Sequence, residues 1–110
     1  MFDARRLPTF REVARRGSFA AAAEALCFTP SAVSQQMAAL EREVGATLFE
    51  RTHSGVRLTD AGARLLAHAD ALLDRLAQAE ADLVTGAQRR RAPLRLRPLA
   101  GARVVFAGWP

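Results

Sequence analysis

Only three residues separate two segments with the apolar periodicity of helices, and this interval restricts the fold more than any other feature of the chain. The first segment, FAAAAEAL at 19–26, follows Ser18, a residue type that caps helix N-termini well. The second, PSAVSQQMAALEREV at 30–44, begins with proline after Thr29 and is followed by Gly45, which favours a helix end. Two helices joined by so short a turn predict a helix-turn-helix.

The segment before this pair predicts a further helix. Its apolar residues fall on one face at a period of 3.6 residues and its charged residues fall on the other. The helix is predicted to begin at Ala4 or Pro8 and to run to Arg16, and Pro8 favours the later start because proline is tolerated only in a first helical turn. Gly17 then ends it. The face expected to point inward contains Leu7, Phe10, Val13 and Ala14.

Two short runs typical of β-strands follow the helices. LFER at 48–51 and VRLT at 56–59 flank THSG at 52–55, whose residues favour a turn. This pattern predicts a β-hairpin. A hairpin directly after a helix-turn-helix is a wing, so residues 1–59 are predicted to form a winged helix-turn-helix domain of mainly α class.

A long helix is predicted next, over residues 60–88. Thr59 can cap it, and Asp60 in its first turn is favoured by the helix dipole. Its apolar residues alternate at spacings of four and three, the heptad pattern of a coiled coil. So long a stripe needs a second partner, most simply the same helix of another copy, which predicts a homodimer. The seam consists of Leu65, Ala69, Leu72, Leu76, Ala79 and Leu83.

Composition excludes several classes of function. A single cysteine, Cys27, and two histidines give neither a disulfide nor a zinc site, so no metal or cofactor is expected. There is no apolar run of about 18 residues and no signal peptide, which predicts a soluble, cytoplasmic protein without a membrane partner. Cys27 is expected to be a half-buried turn residue rather than a nucleophile.

The net charge of +5 is weak support for a nucleic-acid partner because it is unevenly distributed. Residues 1–59 carry eight Arg against six acids (+2), and residues 60–88 carry two against five (−3). Residues 89–110 carry six Arg and no acid (+6). The basic excess therefore lies mostly in the last segment, in which LRLR at 94–97 is a candidate strand.

Four motifs in one collinear order resemble the N-terminal DNA-binding domain of LysR-type transcriptional regulators. They are GSFAAAAEAL, SAVSQQMAALE, VGATLFER and LTDAG, and the resemblance covers about residues 1–90. It implies a winged helix-turn-helix, a linker helix that pairs two subunits, and an effector-binding α/β domain after a hinge. It also implies that Cys27 stands at a turn position where the family favours residues that adopt positive φ readily, with strain of about 1 kcal/mol. Residues 89–110 are then a basic hinge and the truncated start of the effector-binding domain, or a disordered tail. A fragment, a truncated product and a frame-shifted tail remain open, and no small-molecule effector is expected for such a chain.

The start of the second helix of the pair is the candidate reading surface. In a helix-turn-helix this end enters the major groove, where side chains meet base edges. Gln35 can pair with adenine through two hydrogen bonds, and Ser31 and Ser34 can contact bases or phosphates. Pro30 can pack on a thymine methyl group, and Thr29 can also contact DNA, although capping and helix initiation are the simpler roles of these two residues.

The predicted wing supplies a second set of candidates. Arg51 precedes the hairpin turn, and His53 and Ser54 occupy its tip, from which they can reach the minor groove or the backbone. For Arg51 the alternative is a surface ion pair with Glu50 or Glu43. For His53 the alternative is simple solvation.

The function predicted is that of a DNA-binding transcription regulator, which recognises an operator of dyad symmetry as a homodimer, or as a higher oligomer where an effector domain is present. One alternative is a truncated interaction protein that pairs with full-length relatives and modulates them. Another is a different winged-helix regulator of the MarR kind. No enzyme is predicted, because the chain has no nucleophile elbow, phosphate-binding glycine loop or paired carboxylates.

Overall fold

The computed structural model describes the backbone of residues 1–89 and the side chains of residues 1–85. A 3₁₀ turn at Ala4–Arg6 precedes α1 (Leu7–Arg16), α2 (Phe19–Leu26), α3 (Pro30–Val44), β1 (Phe49–Thr52), β2 (Gly55–Leu58) and α4 (Asp60–Arg89). This order confirms the predicted class, a mainly α winged helix-turn-helix followed by a long helix. The strand considered at 94–97 lies outside the described residues, as does nearly all of the segment 89–110.

Side chains cap the beginnings of α2 and α3 in the predicted way, whereas no side chain caps the beginning of α1. The Ser18 hydroxyl oxygen accepts a hydrogen bond from the Ala21 N–H at 3.1 Å, and Thr29 accepts one from Ala32 at 3.0 Å. Each such cap contributes about 1 kcal/mol. The predicted stops are also confirmed, because Gly17 ends α1 in the left-handed conformation.

The first helix begins between the two predicted positions. Asp3 caps the 3₁₀ turn by accepting a hydrogen bond from the Arg5 N–H at 2.9 Å. The α-helix proper then begins at Leu7, so that Pro8 lies in its first turn, where its missing N–H has no consequence.

The three short helices enclose a small core. Phe10 and Val13 of α1, Ala22 of α2, and Val33 and Leu40 of α3 are fully buried. Alanine on α2 lets the neighbouring helices approach closely, because its side chain adds little thickness to the interface. One face of α3 is therefore buried in the core.

The hairpin is attached to the junction between α1 and α2. Its strands are antiparallel with Phe49 opposite Leu58 and Thr52 opposite Gly55, and they are joined by a two-residue turn. The Val56 N–H donates to the Gly17 carbonyl oxygen at 2.9 Å. Gly55 has φ +148°, and a Cβ atom there would overlap the same carbonyl, so this close approach requires glycine.

Helix α4 extends over 30 residues, or about 45 Å at the usual rise, close to the predicted range. The Thr59 hydroxyl oxygen caps it by accepting from the Gly62 N–H at 3.0 Å. By internal contacts the chain divides into two compact units, Met1–Asp70 and a second that begins at Ala71, so the first turns of α4 belong to the winged unit. None of the described helices combines the length and apolar character needed to cross a membrane.

Candidate nucleic-acid interface

The start of α3 exposes a compact polar surface. Thr29, Pro30, Ser31 and Gln35 are exposed, and Ser34 is half-buried. Residues at spacings of three and four share a helix face, so Ser31, Ser34 and Gln35 lie together. The structure thus brings the predicted reading residues onto one side of α3.

Only one backbone donor is available at this helix end among the described residues. Pro30 has no N–H, the Ala32 N–H is capped by Thr29, and the Val33 N–H donates to the Thr29 carbonyl at 3.1 Å. The Ser31 N–H has no partner in the described part of the chain. The helix end can therefore offer that single N–H to an anion, together with the Ser31 hydroxyl.

A cleft joins this face of α3 to the hairpin. It has a volume of about 150 Å³, and both Ser34 and Arg51 line it. His53 and Ser54 are exposed at the turn of the hairpin and do not line the cleft. The remaining lining residues are Phe19, Met37, Ala38, Glu41, Phe49 and Val56.

Arg51 contacts an aromatic ring rather than either of the carboxylates suggested from the sequence. Its Cζ atom lies 5.3 Å from the centre of the Phe19 ring, a cation–π contact. Because successive side chains alternate across a strand, Arg51 shares a face of the hairpin with the buried Phe49 and points towards α2.

The suggested ion pairs of Arg51 are wrong. Glu50 faces the other side of the hairpin, where it accepts a hydrogen bond from its cross-strand neighbour Arg57 at 3.1 Å. Glu43 is paired with Arg6 at 3.4 Å. Among the described residues Arg51 has no carboxylate within ion-pair distance, so its positive charge is not neutralised within the unit.

Glu41 fixes the hairpin to α3, a role that the sequence did not reveal. Its carboxylate accepts hydrogen bonds from the backbone N–H groups of Leu48 at 2.7 Å and Phe49 at 3.3 Å. A glutamate next to the buried Leu40 resembles an ordinary solvated side chain. The only signal in the sequence that could have indicated this role was the predicted start of a strand, where backbone N–H groups need an acceptor.

A cluster of charges ties the N-terminus to the C-terminal half of α3. Hydrogen bonds from the Arg5 side chain, then from its backbone N–H, lower the pKa of Asp3 from 3.8 to about 2. The Asp3 N–H donates to Glu43 at 3.0 Å, and this bond, followed by the hydrogen bond from Arg6, lowers the pKa of Glu43. These charges act within the fold rather than at the exposed start of α3.

Cys27 has the predicted backbone conformation but not the predicted burial. Its φ of +60° is the only positive value at a residue other than glycine among residues 1–89. Its side chain is exposed rather than half-buried. The reason is local, because a left-handed residue after α2 directs its side chain away from the helices while the Phe28 N–H bonds back to the Ala23 carbonyl at 2.9 Å. In the described part of the chain no cluster of His, Cys, Asp or Glu could hold a metal ion.

The predicted seam of α4 is divided between buried and exposed positions. Ala69 has no exposed surface, and Leu65 is half-buried. Leu72 and Leu83 are each 54% exposed and Leu76 is 38% exposed. Ala79 is exposed as well.

A helix-turn-helix with a β-hairpin wing and a polar, outward-facing second helix defines the class of winged-helix proteins. The family described as "Bacterial regulatory helix-turn-helix protein, lysR family" matches residues 4–63, more than half of the chain. The chain belongs to this LysR family, so the MarR-like alternative is wrong. The HTH-type transcriptional regulator HdfR of Yersinia pestis is 48% identical over 80 residues, which are 71% of this chain and 27% of that protein. The chain thus spans about a quarter of the length of the curated relatives it matches, and these relatives are regulators rather than enzymes.

Solved structures of LysR proteins have the same fold. The CbnR DBD–DNA complex matches with a TM-score of 0.69 and 38% identity, over 79% of this chain and 99% of that one. The complex of the BenM DBD with benA site 1 DNA matches with a TM-score of 0.70 and 31% identity, over 83% and 98%. Full-length LysG from Corynebacterium glutamicum matches with a TM-score of 0.72 and 34% identity, over 79% and 30%.

Proposed function

We propose that this chain is the DNA-binding part of a LysR-type transcription regulator, and that it recognises an operator of dyad symmetry with one α3 helix in each half-site. The observation that carries the proposal is the polar face of α3. Ser31 and Gln35 are exposed while Val33 and Leu40 are fully buried on the opposite side. Neither Ser31 nor Gln35 has a capping role in the fold, and the winged unit that presents them is shared with the CbnR and BenM complexes with DNA.

The chemistry of this face suits the major groove. Gln35 can donate to and accept from adenine at once, which distinguishes that base from the other three. Ser34 and Ser31 each carry a hydroxyl that serves as donor or acceptor, towards bases or phosphates. The Thr29 hydroxyl oxygen already accepts the capping hydrogen bond from Ala32, so we assign Thr29 and Pro30 to the placement of the helix end and to backbone or methyl contacts.

The hairpin contributes the charge that the reading face lacks. Arg51 lines the same cleft as Ser34 and has no carboxylate partner among the described residues, so it is available to a phosphate. His53 and Ser54 lie at the turn, which in this arrangement follows the backbone or the minor groove. Specificity is thus assigned to α3 and a sequence-independent share of the affinity to the hairpin.

Selection of duplexes from a random-sequence library by the intact chain tests the proposal. We expect an interrupted palindrome to be enriched. The double variant Ser34→Ala, Gln35→Ala should bind that duplex at least about 30-fold more weakly, because each of the two lost base contacts is worth about 1–3 kcal/mol. Its binding to a scrambled duplex should change little.

Gln36→Ala is the matched control. Gln36 is the adjacent glutamine, and it is half-buried. It lies about 100° further around the helix axis than Gln35, away from Ser31 and Ser34. Its replacement should leave discrimination between selected and scrambled duplexes intact. Unchanged discrimination in the double variant, or failure of the wild-type chain to enrich any sequence, would exclude α3 as the reading helix.

A further inference from the structure

Three aromatic rings lead from the core of the winged unit to its surface. Phe10 is fully buried, and its ring centre lies 5.4 Å from that of Phe49. Phe49 in turn meets Phe19 edge-on at 5.8 Å and 89°. The half-exposed Phe19 ends the series, and the guanidinium of Arg51 lies over its ring. An exposed arginine is thereby connected to the core through a continuous series of ring contacts.

We propose that Phe19 is a positioning residue, whose ring holds the Arg51 guanidinium at the mouth of the α3–hairpin cleft so that it binds a backbone phosphate of duplex DNA. The inference rests on the proposed function and adds to it a residue that contacts no DNA itself. Ser34 lines the same cleft, so a phosphate bound by Arg51 would place the backbone beside a reading residue.

An aromatic ring can orient a phosphate-binding arginine without competing with the phosphate, whereas a carboxylate competes with it. The cation–π contact with Phe19 engages no oxygen acceptor, so N–H donors of the Arg51 guanidinium stay available for a bidentate contact with phosphate. A carboxylate would occupy some of these donors and neutralise the charge. The other hairpin arginine, Arg57, is held in that second way by Glu50. The two arginines of one hairpin therefore differ in what they can offer to an anion.

Both partners of the stack are fixed at their bases. Phe19 is the first residue of α2, directly after the Ser18 cap. The hairpin that carries Arg51 is bonded to the same junction, because the Val56 N–H donates to the Gly17 carbonyl, and Val56 is the cross-strand partner of Arg51. An arginine side chain loses conformational entropy when it is ordered. A ring that orders it before binding removes part of that cost from the affinity.

A double-mutant cycle on a scrambled duplex tests the inference, since phosphate contacts do not depend on sequence. Phe19→Leu keeps apolar packing on Phe49 but removes the π face. It should weaken binding about 2- to 5-fold in the wild-type background. In the Arg51→Ala background it should have no effect, whereas in the matched Arg57→Ala background the loss should persist. Phe19→Tyr, which keeps the ring, should bind like the wild type.

A purely structural role of Phe19 gives a different result. Phe19→Leu would then weaken binding equally in all three backgrounds, and this outcome would overturn the inference. The chemical shift of the Arg51 Nε proton in the free protein provides a readout that needs no DNA. It should carry a ring-current shift that Phe19→Tyr preserves and that Phe19→Leu abolishes, and an unshifted proton in the wild type would exclude the stack.

The failures of the two proposals are distinguishable. A chain that selects a palindrome but shows no coupling between Phe19 and Arg51 keeps the proposed function and loses this inference. A chain that binds no duplex loses both. Circular dichroism melts of each variant establish folding, and if Phe19→Leu does not fold, the ring-current shift of the Arg51 Nε proton in the wild type still tests the inference.

Discussion

At the scale of single residues, Cys27 has the least favourable backbone conformation of the winged unit. Its φ and ψ of +60° and +38° bring Cβ close to the following carbonyl oxygen, at a cost of about 1 kcal/mol. Its side chain is exposed and is not part of the core. Cys27 therefore carries strain at the turn before α3 without a compensating contribution from packing.

Replacement of Cys27 by glycine should stabilise the protein. We expect Cys27→Gly to raise the free energy of unfolding by less than about 1 kcal/mol, because glycine adopts positive φ without a steric penalty, but its greater freedom in the unfolded chain offsets part of the gain. The expected rise in melting temperature is therefore below about 4–8 °C, the rise that corresponds to 1 kcal/mol. Thermal and urea unfolding measure both quantities.

The control for this prediction is Cys27→Ala. Alanine retains the Cβ atom that causes the strain and removes only the thiol, so its stability should stay close to that of the wild type. Equal stabilisation by alanine and glycine would show that the thiol, rather than the backbone conformation, is responsible.

Local features of individual residues could be predicted from sequence, whereas contacts between distant segments could not. Ser18, Thr29 and Gly17 act on neighbours within a few positions, so their residue types alone indicate caps and stops. Arg51 lies on β1 and contacts a ring on α2, although Glu50 and Glu43 are much closer to it in sequence. The neighbour that Arg51 contacts depends on the face of the strand to which its side chain points, and the register of the hairpin determines that face.

At the scale of elements, Glu41 determines how the hairpin is attached to α3. It supplies the only side-chain acceptor for the Leu48 and Phe49 N–H groups within the described residues, at the point where the chain leaves α3 for β1. Leu48 is 1% exposed, so its N–H has no alternative partner in bulk water. The Glu41 carboxylate therefore helps to set the position of the wing relative to α3.

Removal of that acceptor should loosen the hairpin and destabilise the fold. We expect Glu41→Ala to lower the free energy of unfolding by about 1–3 kcal/mol, the cost of leaving a buried donor unpaired. Glu41→Gln should lose less, because its amide oxygen can still accept. Urea denaturation gives the stability, and hydrogen exchange at the Leu48 amide reports the local effect.

Glu24→Ala is the matched control for Glu41→Ala. Glu24 is exposed on α2, so its loss should change the stability by less than about 0.5 kcal/mol. If the Leu48 amide exchanged equally slowly in both variants, Glu41 would have no role in the attachment of the hairpin.

At the scale of the whole molecule, α4 has two different apolar stretches that the sequence presents as one. The heptad pattern runs without a break from Leu65 to Leu83, yet Ala69 is fully buried in the single chain. Periodicity shows that a helix has an apolar face but not which surface covers it. We therefore narrow the proposed pairing surface to Leu72, Leu76, Ala79 and Leu83. We propose that α4 serves as the linker and dimerisation helix from Ala71 onward, where the second compact unit begins.

This surface should hold two copies of the chain together. Three leucines between 38% and 54% exposed on one stripe are an unfavourable surface for a helix that remains single in water. Pairing along a heptad seam would bury them. Dimerisation would also link two α3 helices, so that the second half-site is bound at a high effective concentration and the affinity for a dyad exceeds that for one half-site.

The double variant Leu72→Glu, Leu76→Glu should sediment as a monomer at micromolar concentrations at which the wild type sediments as a dimer, because charges would then face each other across the seam. Both leucines are substantially exposed in the single chain, so the helical circular dichroism of the winged unit should be retained. Affinity for the dyad should fall to that for a single half-site. Gln78→Glu adds a charge at an exposed position outside the seam and should remain dimeric. A wild-type monomer, or a dimer that survives the double substitution, would exclude pairing through this stripe and leave the dyad operator without a structural basis.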